Sequence, residues 1–347
     1  MKSMFVPTLR VSAVCVLAFS ITAPSTLFAS PIDSQDQKQD QSKDQTPPIS
    51  EDEQKALAKV NAASGADAKL KAAADYLKKY SKSSMRPRLA GFIADEIISV
   101  KDSAQKISLS QNFISIFNQP GEADMVKPAL VEAYLNAGKF DEALNESSKY
   151  LEKNPDDIVM LTQLAWAGAN QAQKQTASPK LLQTSSQAAA KAIELMESDK
   201  KPERMTAEAW TSYRNSWLPR LYQAQGVILY FSNDKARAKE KLEKAVGFDP
   251  YDPSTLLLLV NISNDEYQEM AKKYQAEKKP EILNQALGKL DETIDWMART
   301  VAATEGNPQF QSVHDQLKDN LKQYYSFRRE GKTDGLDELI KKYKKPQ

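Results

Sequence analysis

One stretch of 34 residues, Asp124 to Asp157, constrains the fold of this chain more than any other. It reads DMVKPALVEAYLNAGKFDEALNESSKYLEKNPDD and places apolar residues at helical intervals on two short arms. Gly138 separates the arms, and glycine readily adopts the positive φ that ends a helix. Pro155 follows the second arm, where a proline cannot continue a helix. The stretch therefore predicts two antiparallel helices joined by a tight turn at residues 136–138.

The same stretch resembles a tetratricopeptide repeat, a helix-turn-helix unit of 34 residues with small and large side chains at fixed places. With Asp124 as position one, six residues have the expected type: Leu130, Tyr134, Gly138, Phe140, Ala143 and Pro155. Four depart from it: Lys127, Val131, Ser147 and Tyr150. Residues 219–252 resemble the unit at Tyr222, Gly226, Ala238, Leu242, Ala245 and Pro250. Residues 158–198 resemble it less regularly, with about eight extra residues at the turn relative to a 34-residue unit.

Composition and resemblance together define the expected fold. Only 11 of 347 residues are glycine, and strong helix formers abound, so the chain is predicted to be all-α. The resemblance implies an α-solenoid of tetratricopeptide-like hairpins, wound as a right-handed superhelix, with degenerate flanking helices. The expected parts are a signal peptide (1–30), a disordered linker (31–50), N-terminal helical hairpins (51–118), a repeat region (119–265, with units 124–157, 158–198 and 219–252) and C-terminal capping helices (266–347).

Two interruptions are expected within this series of helices. A separate added helix, Met205 to Leu218, precedes the third unit, which is expected to begin at Pro219. A charged stretch, Glu266 to Glu281, is expected to separate an apolar helix that opens at Asp252 from the next one.

The first 30 residues have the pattern of a cleavable secretory signal. Lys2 and Arg10 precede an apolar segment, residues 11–28, and the small residues Ala29 and Ser30 follow it. A membrane anchor is the alternative, but polar residues between 20 and 26 leave too short an apolar run to span a bilayer. We therefore expect an exported bacterial protein, periplasmic or secreted, which would contact the membrane only through an uncleaved signal segment.

Charge and cysteine content limit the possible partners. Loss of Lys2 and Arg10 from a chain with 47 basic and 46 acidic residues leaves a net charge near −1, which favours neither nucleic acid nor anionic lipid. Cys15 is the only cysteine and lies in the signal, so the mature chain forms no disulfide. The linker, 31–50, holds almost no apolar residue and cannot offset its ordering entropy.

No motif in the sequence predicts catalysis. His314 is the only histidine, so it has no second histidine or mature cysteine with which to bind a metal, and Walker-type and GxGxxG loops are missing. We expect neither enzyme activity nor a cofactor nor a metal. The alternatives are an envelope-assembly accessory factor and a cell-wall-active enzyme of helical superhelix type. Glu146-Ser147 and Glu197-Ser198 are similar to the Glu-Ser pair of lytic transglycosylases.

An aromatic stripe, Trp210, Tyr213 and Trp217, follows helical spacing and has two interpretations. Such a stripe usually packs against neighbouring helices. A docking face for a partner is the other interpretation, because tryptophan and tyrosine are typical anchors.

The resemblance also implies a concave groove lined by the first helix of each unit. The corresponding positions are Glu132, Leu135 and Asn136; Trp166, Ala169 and Asn170; and Val227, Tyr230 and Phe231. An asparagine there could bond a peptide backbone, and aromatic rings could hold its side chains. The alternative is that these residues are simply exposed or pack on the inserted helices. The partner-binding candidates are Glu132, Asn136, Trp166, Asn170, Tyr230 and Phe231, and the expected function is a non-catalytic scaffold that binds another envelope or secreted protein or peptide.

Overall fold

A computed structural model describes residues 49–203 and 205–346 of the chain. Within these ranges there are fourteen α-helices, two short 3-10 helices and no strand, which confirms the all-α prediction. The predicted signal lies outside the described residues, as does the predicted linker except for Ile49 and Ser50. Ser50 caps the first helix, since its hydroxyl accepts a hydrogen bond from the Glu53 amide at 3.2 Å.

The helices divide between two compact units, whose limits fall within the seventh and ninth helices. We call the described part of 24–167 and 198–210 the N-terminal unit, and that of 168–197 and 211–347 the C-terminal unit. The helices are α1 (Glu51–Ala62), α2 (Ala66–Lys79), α3 (Arg86–Ile98), α4 (Ser103–Ile116), α5 (Lys127–Asn136), α6 (Phe140–Leu151), α7 (Ile158–Gln173), α8 (Pro179–Glu197), α9 (Ala207–Phe231), α10 (Lys235–Phe248), α11 (Pro253–Glu277), α12 (Pro280–Thr304), α13 (Gln311–Arg328) and α14 (Leu336–Lys342).

In the N-terminal unit each helix from α1 to α6 packs against the next, and α2 also packs against α4. Large apolar side chains with no exposed surface, Ile93, Ile97, Phe113 and Phe117 among them, form the centre of this core. The Phe113 and Phe117 rings stack with their centroids 4.5 Å apart. The predicted turn between α5 and α6 is present, and Gly138 has a φ of +72° there. The N-terminal hairpins thus bury one continuous apolar core.

The C-terminal unit is built around α11 and α12, which pack along their lengths. Helices α10, α13 and α14 pack onto this pair, and the core includes Leu256, Leu259, Leu290 and Met297, none of which is exposed. The last helix is held by its neighbour Tyr343, whose ring lies 4.7 Å from the Arg299 guanidinium; Arg299 lies equally close to the Trp296 ring. These cation–aromatic contacts therefore connect the residue that follows α14 to α12.

Two glycines of the C-terminal unit allow neighbouring helices to approach closely. A Cβ atom built on Gly226 of α9 would lie 2.6 Å from Cγ of Leu242 in α10. A Cβ atom built on Gly168 of α7 would overlap the side chain of Ser185 in α8. Both positions require glycine, because the atoms that a methyl group would meet, Leu242 Cγ and Ser185 Cβ, lie close to their own backbone and cannot easily move aside.

The predicted break before Pro219 is wrong, because α9 runs without interruption from Ala207 to Phe231. A proline inside a helix removes one hydrogen bond and crowds the preceding turn, at a cost of about 3 kcal/mol or more. Packing offsets this cost here, since Trp217 and Leu221 on either side of Pro219 are both buried. The proposed added helix and the first helix of the third unit are therefore one element.

The predicted interruption at Glu266 to Glu281 is also largely absent, because α11 continues to Glu277. Lysine and glutamate are good helix formers. Tyr267 and Ala271, one turn apart, are buried and supply an apolar face within the charged stretch. The helix ends where Lys278 adopts a φ of +55° ahead of Pro280. Among the helices of the described residues, none is long and apolar enough to cross a membrane.

Candidate functional site

The predicted groove residues of the N-terminal unit have different environments. Glu132 in α5 is half-buried, and its carboxylate accepts a hydrogen bond from Lys106 Nζ of α4 at 3.1 Å. Asn136 is exposed at the end of α5. Trp166 is only 9% exposed, so little of its indole ring could contact a partner. Of these three residues, Asn136 offers the most accessible side chain.

In the C-terminal unit, Asn170, Tyr230 and Phe231 are all half-buried. The Tyr230 and Phe231 rings meet nearly at right angles, 89°, with centroids 5.2 Å apart. Phe231 packs against an alanine-rich cluster that includes Ala169 of α7. Burial raises the pKa of Tyr230, and the nearby Asp265 carboxylate raises it further, so this hydroxyl remains protonated and able to donate a hydrogen bond.

The aromatic stripe of α9 is buried. Trp210 is 3% exposed and its Nε1 donates a hydrogen bond to Asp199 Oδ1 at 2.8 Å. Tyr213 and Trp217 are also buried, and their ring centroids are 6.1 Å apart. The burial favours the packing interpretation of this stripe over the docking interpretation.

The glutamates of both Glu-Ser pairs and the Ser147 hydroxyl have partners on neighbouring turns or helices. Glu146 of α6 forms an ion pair with Lys149 at 3.0 Å, and the Ser147 hydroxyl donates to the Leu144 carbonyl. Glu197 ends α8 and accepts a hydrogen bond from the Tyr222 hydroxyl. His314 contacts the Thr304 hydroxyl through Nδ1 at 3.0 Å. These contacts connect neighbouring helical turns or elements.

Among the described residues, burial is the main cause of a raised pKa at carboxyl groups that lie on different elements. They are Asp95 in α3, Glu243 in α10 and Asp252, which precedes α11. Asp252 already accepts hydrogen bonds from Gln223 Nε2 at 2.7 Å and from the Thr255 amide at 2.8 Å. No group of three or more potential metal ligands converges anywhere in the described ranges.

A cleft that the sequence does not predict lies in the C-terminal unit, between the end of α11, the start of α12 and the end of α13. Its open space, including the part that merges with solvent, is about 300 Å³. Its lining is almost wholly apolar: Tyr267, Ala271, Tyr274, Gln275, Leu283, Ala286, Leu287 and Phe327. Burial raises the pKa of Tyr267 to about 12, so the aromatic floor of the cleft is uncharged. The cleft itself has room for only about one water molecule, so it is a shallow apolar depression.

Basic residues outnumber acidic ones where α11 ends and α12 begins. Residues 270–281, which span the end of α11 and the start of α12, hold four lysines and two glutamates. One of these glutamates, Glu277, is paired with Lys279 at 2.7 Å. The Lys278 ammonium lies 5.4 Å from the centre of the Tyr274 ring. The end of α13 adds Arg328, which donates two hydrogen bonds to Asp291.

The sequence contains a weak signal for the cleft, namely apolar residues one turn apart within the charged stretch, at Tyr267, Ala271 and Tyr274. No protein-family model matches this chain, and no curated protein matches it well enough to count as a relative.

Proposed function

We propose that this chain is a non-catalytic scaffold of the bacterial cell envelope, built from tetratricopeptide-like hairpins that bind another protein. The observation that carries the proposal is the close approach at Gly226, where a methyl group would lie 2.6 Å from Leu242. In the tetratricopeptide resemblance this glycine occupies a position for a small residue. The tight contact between α9 and α10 is what such a hairpin requires, and it supports the repeat architecture on which the groove depends.

Accessible side chains on the first helices of these hairpins support the binding role. Asn170 and Tyr230 are half-buried and combine hydrogen-bonding groups with apolar surface, which suits an extended peptide. Phe231 adds an aromatic edge beside Tyr230. Each repeat in such an array contacts its neighbours, so an extended surface forms without a deep pocket.

The test places a photo-crosslinking residue at position 170 of the full chain, which is produced so that it is present in a bacterial envelope. The protein that it captures is then purified, and its binding to the chain is measured by titration. We expect an Asn170→Ala, Tyr230→Ala variant to bind that protein at least tenfold more weakly, with unchanged helical circular dichroism. The matched control is Asn112→Ala, Asn284→Ala, in which both positions are exposed. Equal binding by the two variants would show that the groove assignment is wrong.

The same preparations distinguish the scaffold from the enzyme alternative. The chain is incubated with purified cell-wall glycan, and soluble fragments are measured. Release of fragments by the wild type and its loss in a Glu197→Gln variant would overturn the non-catalytic assignment. Export is tested separately, by fractionation and N-terminal sequencing of the mature chain, for which we expect a start near Ser30.

A further inference from the structure

The helices that carry the proposed groove in the C-terminal unit contain long stretches without a charged side chain. Residues 168–173 of α7, 221–231 of α9 and 253–264 of α11 include no Asp, Glu, Lys or Arg, although 27% of the whole chain is charged. All three stretches belong to the same compact unit. A charged segment would find no opposite charge on these stretches, whereas an uncharged segment would leave no charge without a partner.

Apolar side chains from these stretches lie together. Phe231 of α9 and Leu258 of α11 are half-buried. Both pack against one buried cluster of small and branched residues: Ala169, Ala172, Ala224, Val227 and Ile228. Asp265 and Lys235, the charged groups that act on the nearby Tyr230 hydroxyl, form an ion pair at 2.7 Å and neutralise each other. The surface around Phe231 and Leu258 is therefore mainly apolar, and an uncharged apolar segment would remove more of it from water.

The chain itself contains a segment that suits this surface. Residues 11–28, VSAVCVLAFSITAPSTLF, are mainly apolar and carry no charge. Polar residues interrupt them too often for a bilayer span, so in a chain that retains them their apolar side chains need another surface on which to leave water. Residues 29–48 join them to the described chain. A connection of about 20 residues reaches up to about 70 Å, more than twice the diameter of a small domain.

We propose that residues 11–28 of the uncleaved chain bind the groove of the C-terminal unit and exclude the partner until the signal is removed. The inference rests on the proposed function, since it concerns the regulation of the same groove. A covalent tether raises the effective concentration of the segment to about the millimolar range, so weak apolar contacts suffice to keep the groove filled. Cleavage before Ser30 ends this tethering and exposes the groove.

Two arguments favour this segment over other occupants. A second copy of the chain would bind at its free concentration and would lack the advantage of the tether. An anionic lipid surface is recognised by clustered lysine and arginine side chains, which the three uncharged stretches lack.

The probe for this binding is Cys15, the only cysteine of the chain, which lies within the segment. The full chain is synthesised in vitro so that no residue is removed, and the rate at which a soluble thiol reagent modifies Cys15 is measured. We expect the wild type to react at least tenfold more slowly than the double variant Phe231→Asp, Leu258→Asp, because charged side chains oppose apolar burial. The slow rate should not depend on chain concentration, since the contact forms within one chain.

The matched control is Phe248→Asp, which changes an aromatic residue that is 53% exposed and lies outside the groove positions. Its Cys15 should react as slowly as that of the wild type. Circular dichroism verifies that each variant is folded. Equal rates for the wild type and for a folded Phe231→Asp, Leu258→Asp variant would overturn the proposal.

A measurement on the wild-type groove does not depend on these variants. A photoreactive group is attached to Cys15 in the unfolded chain, the chain is refolded, and its crosslinks are mapped by mass spectrometry. We expect crosslinks within one chain to α7, α9 or α11 close to Phe231. Crosslinks to the N-terminal unit would contradict the proposal, and crosslinks between two chains would assign the surface to a second copy.

Partner binding separates this inference from the proposed function. The chain that starts at Ser30 should bind the protein captured from position 170 at least tenfold more tightly than the full chain does. Equal binding by both forms, together with rapid modification of Cys15, would refute the inference and leave the scaffold proposal intact. Protection of Cys15 and crosslinks to α9, without capture of any protein, would refute the scaffold proposal while the binding of residues 11–28 to this surface stands.

Discussion

The Arg86 guanidinium donates two hydrogen bonds to the Glu122 carboxylate, from Nε to Oε1 at 2.7 Å and from Nη2 to Oε2 at 2.8 Å. Both side chains are almost fully buried, with 10% and 7% exposed. Arg86 Nη2 also donates to the Ile116 carbonyl, and the Gln119 amide donates to Glu122. This ion pair therefore joins the start of α3 to the chain that follows α4.

Breaking this pair from one side should be costly. We expect Glu122→Ala to lower the free energy of unfolding by about 3–5 kcal/mol, because it leaves a buried arginine without its counterion. The double variant Arg86→Met, Glu122→Leu should lose less than Glu122→Ala alone. Urea denaturation measures the free energy of unfolding of the wild type and of each variant. Asp75→Ala is the control, since it breaks the exposed pair with Lys78 and should cost about 0–1 kcal/mol. Equal losses for Glu122→Ala and Asp75→Ala would contradict the expectation.

The same pair should make stability depend on pH in the acid range. Hydrogen bonding from Arg86 lowers the pKa of Glu122 below its ordinary value of 4.5. A lowered folded-state pKa contributes stability that is fully present above 4.5 and is lost as the pH falls through the folded value. The difference in unfolding free energy between wild type and Glu122→Gln should thus be constant from pH 7 to about pH 5 and shrink below that. A difference that grows on acidification would refute this assignment.

Helix packing at Gly226 gives a prediction with an internal control. Alanine is a better helix former than glycine by about 1 kcal/mol, and a methyl group added at Gly288 of α12 would have nothing within 4 Å, so Gly288→Ala should stabilise the chain. Gly226→Ala should instead destabilise it by about 1–3 kcal/mol, because its methyl group would crowd Leu242. Thermal or urea unfolding of both variants checks this. If both substitutions stabilise the chain equally, α9 and α10 are not in close contact at Gly226.

The Gly226 contact also predicts non-additivity. Leu242 has no exposed surface, so Leu242→Ala alone should cost about 2–5 kcal/mol through the cavity that it leaves. The added methyl of Gly226→Ala would partly fill this cavity. The double variant should therefore lose less stability than the two single changes summed.

Helical class and the α5–α6 hairpin could be predicted from the sequence because both depend on local signals. Apolar residues recur at helical intervals, and Gly138 adopts the positive φ expected of it. The predicted start of a new helix at Pro219 is wrong because it came from the repeat spacing alone, which does not show whether the preceding helix ends there. Here the buried residues Trp217 and Leu221 maintain the helix through it.

The candidate sites were less predictable, because accessibility depends on tertiary packing. Trp166 was selected by its position in a repeat, yet only 9% of it is exposed. The apolar cleft was missed because its lining runs from Tyr267 to Phe327 and comes from three helices. A sequence pattern assigns a residue to a helix face, whereas the neighbours that cover or expose that face come from elsewhere in the chain.

Variants of Asp252 test which of two effects of this residue is larger at the start of α11: the cost of burying its charge or the stability that it adds as a helix cap. Burial raises the pKa of Asp252 above its ordinary value of 3.8, so the folded chain holds the neutral form more strongly than the unfolded chain does. Ionisation of this carboxyl therefore costs stability at neutral pH, and the cost disappears as the pH falls through the folded and then the unfolded pKa. Asparagine carries no charge and can still accept the bonds that Oδ2 of Asp252 receives from Gln223 and the Thr255 amide.

We accordingly expect Asp252→Asn to be at least as stable as the wild type at pH 7, with the difference closing as the pH approaches about 4. Asp252→Ala should lose about 1–2 kcal/mol at both pH values, because alanine cannot cap the helix. Urea unfolding at pH 7 and at pH 4 measures the three proteins. If Asp252→Asn is clearly less stable than the wild type at pH 7, the negative charge interacts favourably with the N-terminus of α11, and this electrostatic gain exceeds the cost of burial.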